Sequence, residues 1–255
     1  NGSIVLRTTA GSITLNDGTA AADDTALSAN GTGNILIQAL GNNTDITANA
    51  DIVSGSGNIS VLAARSVVFN GTADIRTSST ASGSGSVDVL AGTGSITQSA
   101  TSVFLSTGAT ATARLLAAAD VTVGDIELTG GKVSITATAG SILDADVVTT
   151  ANDADQDITA GALRLSAGTA VGESIDHLET TVVTLSARAG NGSIYLLEAD
   201  ALTVDDVSLS VNRVGSDGAT LTTTTDAAQS DIRTTGGNGS IVLRTTAGSI
   251  TLNDG

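Results

Sequence analysis

The chain has 255 residues, with 26 acidic and 10 basic groups for a formal charge of −16, and it contains no Pro, Cys, Met or Trp. That charge argues against nucleic acid, whose phosphates demand basic patches, and against anionic lipid. The absence of cysteine removes any disulfide framework or thiolate metal site. Aromatics are limited to Phe69, Phe104 and Tyr195, so Ile, Val, Leu and Ala must fill the core. Such a core suits a narrow interior of stacked, near-identical layers rather than the irregular space that aromatic and Met side chains fill.

Asn1 to Gly18 reads NGSIVLRTTAGSITLNDG, and Asn238 to Gly255 repeats it letter for letter, at an offset of 238 − 1 = 237 residues. Residues 1–237 are therefore read as one full tandem unit and 238–255 as the start of the next, with the chain a window onto a longer array. A shorter motif recurs inside the unit: a small or polar residue, an aliphatic one, any residue, and another aliphatic. It runs through Ser3-Ile4-Val5-Leu6, Asn34-Ile35-Leu36-Ile37, Asn58-Ile59-Ser60-Val61 and Ser86-Val87-Asp88-Val89. It continues in Lys132-Val133-Ser134-Ile135, Ala162-Leu163-Arg164-Leu165, Ser193-Ile194-Tyr195-Leu196 and Ser240-Ile241-Val242-Leu243, with weaker copies near Ala113 and Ala219. The ten anchors enclose nine intervals over 237 residues, a mean of about 26.

Between anchors lie further two-residue alternations, such as Ile13/Leu15, Val67/Phe69, Val121/Val123 and Val207/Leu209. Period two marks strands with one buried face, and Gly-Ser, Asn-Gly and Asp-Gly pairs separate them. Ala109 to Asp120 comes nearest to a helical pattern. Asn34 and Asn58 share one phase, where a stacked amide ladder is conceivable, though ordinary turn residues are the preferred reading.

A unit of two or three short strands cannot bury its own apolar face, and stacking it on a near-copy can. The expected fold is all-β: a parallel β-helix of about nine coils per 237-residue period. The missing prolines agree, because each stacked strand needs its N–H. A string of antiparallel β-sandwich domains is the rival.

The runs GNGSIYL, GNGSIVLRTTAGSITL and SGSGNISVLAARSVVFNGTADI resemble the filamentous-haemagglutinin-like and giant surface-protein repeats of bacteria. That resemblance implies a right-handed parallel β-helix, secreted or at the cell surface. Intervals here range from about 20 to 31 residues, so uneven loops are expected on the outside of the rod.

Few residues suggest chemistry. Asn152 to Asp157 reads NDADQD, and the alternating carboxylates Asp153, Asp155 and Asp157 resemble the first half of a calcium loop. The fit is partial: Ile158 stands where a Gly belongs, and Arg164 where a bidentate Glu belongs. A solvated acidic turn is the plain alternative, so no cofactor is required and Ca2+ is a candidate. Asp144/Asp146, Asp205/Asp206 and Asp23/Asp24 are further acidic pairs. His177, between Asp176 and Glu179, reads as a surface turn residue. The function expected is a non-enzymatic shaft segment of a secreted adhesin or extracellular fibre. Its partners would be neighbouring repeats end to end, other rods laterally, or a facing cell. An adhesive module contacting glycans through its loops is the alternative, and a polysaccharide-active β-helix enzyme is a third. No apolar run is long enough to cross a bilayer.

Overall fold

A computed structural model describes residues 2–18, 23–77, 85–106, 108–146 and 155–254. Among them the protein is all-β: there is no helix, and the strands pair in parallel except for one hairpin. The arrangement is compatible with a solenoid, because each strand pairs with the one found a chain circuit later. Three ladders result. The first runs Ile4↔Ile35↔Ile59↔Val87↔Ala113↔Val133↔Leu163↔Leu185. The second runs Ile13↔Ile46↔Val67↔Ile96↔Val121↔Ile142↔Val171↔Ile194. The third runs Leu27↔Ile52↔Ile75↔Phe104↔Ile126↔Ile158↔Thr180. Thr112–Ala117, within the most helix-like stretch of the sequence, is a strand of the first ladder. The pull of the neighbouring layers on both sides overrides local pattern there.

Inward positions hold the aliphatic side chains, and Ile35, Ile46, Ile59, Ile75, Ile96 and Ile126 are all fully buried. Phe69 and Phe104 meet edge to face inside this stack, with ring centroids 4.9 Å apart, a favoured aromatic geometry. Layers approach so closely at one corner that only glycine fits. A methyl group at Gly57 would overlap the carbonyl oxygen of Gly33, and one at Gly85 that of Gly57.

The polar residue that opens several of the motifs has a physical role. Its side chain accepts the N–H of its counterpart in the next layer, at a corner where the strand hydrogen bonding begins. On the first ladder, Ser3 Oγ accepts from Asn34 N (3.1 Å), Asn34 Oδ1 from Asn58 N (2.9 Å), and Asn58 Oδ1 from Ser86 N (3.0 Å). Asn58 Nδ2 also donates to Asn34 Oδ1 at 3.0 Å. The two asparagines thus form the stacked amide ladder that the turn reading had set aside. On the second ladder Ser12, Asp45 and Asp120 act alike. On the third, Asp51 accepts from Asp74 N (2.9 Å), Asp74 from Val103 N (2.7 Å) and Asp157 from Glu179 N (2.7 Å).

The parallel order breaks once. Val207–Val214 and Leu221–Gln229 form an antiparallel hairpin, so the weak motif near Ala219 is the end of a hairpin loop and not a layer. The hairpin leaves the stack after Leu202–Val204 and folds back over the outer face of the first ladder. There it reads one outward column layer by layer. Val214 N donates to Ser60 Oγ (2.9 Å), Arg213 Nε to Asp88 (2.6 Å), Arg114 Nε to Asp226 (2.9 Å), Ser134 Oγ to Asp226 (2.7 Å), and Arg164 Nε to Ala227 O (3.1 Å). Asn34 Nδ2 reaches Gly218 O at the tip (3.0 Å). Val214 packs on Leu36 and Leu62 as a second, smaller apolar cluster.

The duplicated segment does not return to its starting position. Ile4 heads the first ladder, yet its twin Ile241 pairs with Ile194 on the second. Ile13 heads the second ladder, while its twin strand Ile250–Leu252 pairs with Leu202–Val204, which lies on the first.

Candidate functional site

The densest group of ionisable side chains sits at the corner that opens the third ladder. Asp51, Asp74, Asp125, Asp157 and Glu179 occupy the same phase, one residue before Ile52, Ile75, Ile126, Ile158 and Thr180. They form a carboxylate column along the stack. Arg76 neutralises its early part through Asp51 (3.1 Å) and Asp74.

Further along, the column meets the end of the second ladder. Asp144 closes the strand Ile142–Asp144, and its Oδ1 accepts the N–H of Asp146 at 3.1 Å, which holds the two residues in a tight turn. Asp157 stands just before the next strand, Ile158–Ala167, which belongs to the third ladder. Carboxylate oxygens of Asp144, Asp146 and Asp157 all lie within 4.8 Å of one another. Asp157 is buried, and Asp144 Oδ2 is closed off from solvent and accepts no hydrogen bond. A cavity of about 60 Å³ beside them is lined by Asp125, Asp146, Asp155, Gln156 and Asp157, among others.

Burial and mutual repulsion push these acids upward. Burial raises Asp144 to about 7, with Asp146 adding to the shift. Burial and then the Asp144 charge hold Asp157 higher still. Burial and Glu127 raise Asp125 to about 7. Three carboxylates this close cannot all stay ionised at neutral pH without a counter-charge. Either a proton or a cation must supply it. Oxygen ligands and an orphaned carboxylate oxygen suit a hard divalent ion such as Ca2+, which takes six to eight oxygens.

Of the residues singled out from the sequence, Asp157 belongs to this trio and Asp155 lines the adjoining cavity. Asp153 lies outside the described residues. The structure brings Asp157 to Asp144 and Asp146, two acids of a separate pair. His177 is buried rather than a surface turn residue. Its ring stacks on Tyr195 at 5.6 Å, its Nδ1 has no hydrogen-bond partner, and burial, aided by the Arg244 charge, lowers its pKa. The buried imidazole there packs against the Tyr195 ring.

The acidic column was missed in the sequence, although a signal exists. Asp-Ile pairs recur at 45–46, 51–52, 74–75, 125–126 and 157–158, each a corner acid followed by an inward anchor. What the fold and the site define is a class: an all-β stack of mostly parallel strands with an acidic corner. No protein-family model matches the chain, and no curated protein or solved structure matches it either.

Proposed function

We propose that the chain is a right-handed parallel β-helix serving as a shaft segment of a secreted, bacterial surface adhesin or extracellular fibre. Its 237-residue period is read as between eight and nine coils, since Ile13 and Ile241 are eight steps apart on the second ladder. One observation carries the reading. Residues 241–252 stack on the preceding layer through the same two short strands that residues 4–15 form at the other end, Ile4–Thr8 and Ile13–Leu15. A unit whose opening strands recur stacked on its own later layers can be lengthened without a new fold. The reading assigns the chain length, stiffness and resistance to proteolysis, and no catalysis.

Electron microscopy of the native assembly tests it. A thin rod with an axial spacing of about 4.8 Å is expected. Beads of about 40 Å, the size of ordinary domains, on flexible links would refute it. The adhesive alternative, in which outer loops contact glycans or a facing cell, predicts that charge reversal at Asp153, Asp155 and Asp157 abolishes adhesion while the fold persists.

A structural Ca2+ is a second, separable proposal, carried by the orphaned Asp144 Oδ2 within the trio. Asp144, Asp146 and Asp157 would hold the ion, tying the second ladder to the third. Calorimetric titration with Ca2+ is expected to give binding that Asp157→Asn abolishes. Binding unchanged in that variant would remove the trio from the assignment.

A further inference from the structure

Charge is unevenly placed on the stack. The chain carries 26 acidic groups and only 10 basic ones, yet cations gather on the outer face of the first ladder. Two outward columns run along that face. One passes through Asp88↔Arg114↔Ser134↔Arg164↔Ser186, the other through Thr136↔Ser166↔Arg188↔Arg233. The carboxylates nearby are engaged. Asp88 holds Arg114 (3.2 Å) and Arg213 (2.6 Å), and Asp226 holds Arg114 (2.9 Å). Asp231, two residues before Arg233, accepts from Ser230 Oγ at 3.1 Å. Arg164, Arg188 and Arg233 form no ion pair among the described residues.

Arg188 and Arg233 stand directly opposite each other on adjacent strands, about 4.8 Å apart, where like charges are destabilising. Arg164 lies one layer earlier, paired with Ser186. Its guanidinium is braced from one side, Nε donating to Ala227 O (3.1 Å) and Nη1 to Thr136 Oγ1 (3.3 Å). Its Nη2 makes no bond among the described residues. Burial lowers the Arg164 pKa, and the Arg188 and Arg114 charges add to that shift against the Asp226 charge.

An independent sign lies between these cations. Ser186 is fully buried, and its Oγ has no hydrogen-bond partner. It shares the outward side of the strand Leu178–Ala189 with Arg188, two residues on. A buried hydroxyl left unbonded carries its full desolvation cost. Guanidinium groups without a counter-charge and an orphaned donor among them lack the same thing, an acceptor with negative charge.

We propose that Arg164, Ser186, Arg188 and Arg233 form a binding site for a tetrahedral oxyanion of the phosphate and sulfate class. Guanidinium forks match the paired oxygens of such an anion, and Ser186 Oγ supplies a neutral donor. The three arginines come from three successive layers, so one bound anion ties those layers together and cancels the repulsion between Arg188 and Arg233. The Arg164 bond to Ala227 O places the site beside the returning arm of the hairpin, just before the chain rejoins the stack at Ile232–Thr234. The site follows from charge and register and holds whatever the stack is for.

Isothermal titration calorimetry of the unaltered chain with inorganic phosphate at neutral pH, against chloride at equal ionic strength, tests it. Saturable binding at one site per chain is expected. Arg188→Gln should weaken that binding about tenfold or more, the loss of one charge-assisted hydrogen bond. Ser186→Ala should also weaken it, while chemical denaturation without phosphate shows no loss of stability, because no existing bond is removed. A hydroxyl that only supported the fold would move stability and leave binding alone. Arg7→Gln makes the same charge change at the far end of the second column and should leave binding as it was. Methyl phosphate separates two sources of the ligand. Equal binding of the ester means that the site takes the group when a larger molecule carries it, and binding of inorganic phosphate alone means a free ion. No saturable binding to a chain whose circular dichroism shows intact β-structure overturns the proposal. Binding that Arg188→Gln leaves intact, or that Arg7→Gln weakens equally, overturns it too, since that pattern marks diffuse attraction to surface charge.

Discussion

Replacing Asp88 with alanine strikes the point where hairpin and stack are joined. The Asp88 carboxylate is fully buried and bridges two guanidinium groups, Arg114 at 3.2 Å and Arg213 at 2.6 Å. Arg114, 8% exposed, keeps its pairing with Asp226 at 2.9 Å, whereas Arg213, 29% exposed, has no other ion pair among the described residues. Breaking a buried pair by removing one partner costs about 3–5 kcal/mol. The partial exposure of Arg213 lets water recover some of its charge, so the expected loss lies at the lower end, about 2–3 kcal/mol. Two assays read it: chemical denaturation for the total, and amide hydrogen exchange for the place. The N–H groups of Val214 and Asn212, which bond to Ser60 Oγ (2.9 Å) and Ser86 Oγ (2.8 Å), should lose protection, while Ile35 and Ile59 in the stack keep theirs. A stability change below about 0.5 kcal/mol, the size of an ordinary surface substitution, with unchanged exchange at Val214 would refute the clamp.

Ile59→Asp places an unpaired charge among fully buried aliphatics and is expected to cost more than about 4 kcal/mol; near-normal melting would show that Ile59 does not face inward. Gly57→Ala drives a methyl group into the Gly33 carbonyl, so thermal melting should show a clear loss, about 1–3 kcal/mol from overpacking, where a surface glycine such as Gly11, with open space around it, should tolerate alanine. The pH dependence is set by acids whose folded pKa lies above the unfolded value of 3.8, namely Asp125, Asp144 and Asp157. Such groups stabilise the fold while protonated; their contribution is complete below about pH 4 and is lost as pH rises through the folded values, about 7 for Asp125 and Asp144 and about 11 for Asp157. Denaturant midpoints should therefore fall between pH 5 and pH 8, and Asp157→Asn should flatten that slope; a midpoint that rises over this range would contradict the acidic-corner geometry. At pH 8, millimolar Ca2+ should restore the lost stability in the unaltered chain and not in Asp157→Asn, as followed by melting temperature.

Much of the stack was legible because its determinants are local and repeated. The anchors at Ile4, Ile35, Ile59 and Val87 head strands whose register is set by alternation, and the structure pairs them as the spacing implied. The polar residue before each anchor was visible too, but its job was not. Capping the next layer is a contact between residues 20 or more positions apart, and turn chemistry explains the same letters equally well. The hairpin was hidden for the opposite reason. Val207/Leu209 and Leu221 to Thr225 have the strand alternation of any layer, and only their partners reveal an antiparallel excursion. The acidic trio needs two chain segments at once: Asp144 and Asp146 from one ladder, Asp157 from another. A contiguous calcium-loop pattern therefore names Asp157 without naming Asp144 and Asp146.

The hairpin is also a matter of timing. Its strands, residues 207–229, come late in the chain, yet they hold positions from Asn34 to Leu165. A chain emerging N-terminus first can stack its early layers one upon the next, through contacts that are short in sequence and quick to form. The Arg213–Asp88 and Arg114–Asp226 ion pairs cannot close until most of the unit has been made. Until then the outward column keeps both signs of charge in water, and a chain cut short before residue 207 never gains the latch. Limited proteolysis should therefore cut units that lack the hairpin faster than complete ones, with the last part to arrive securing the first.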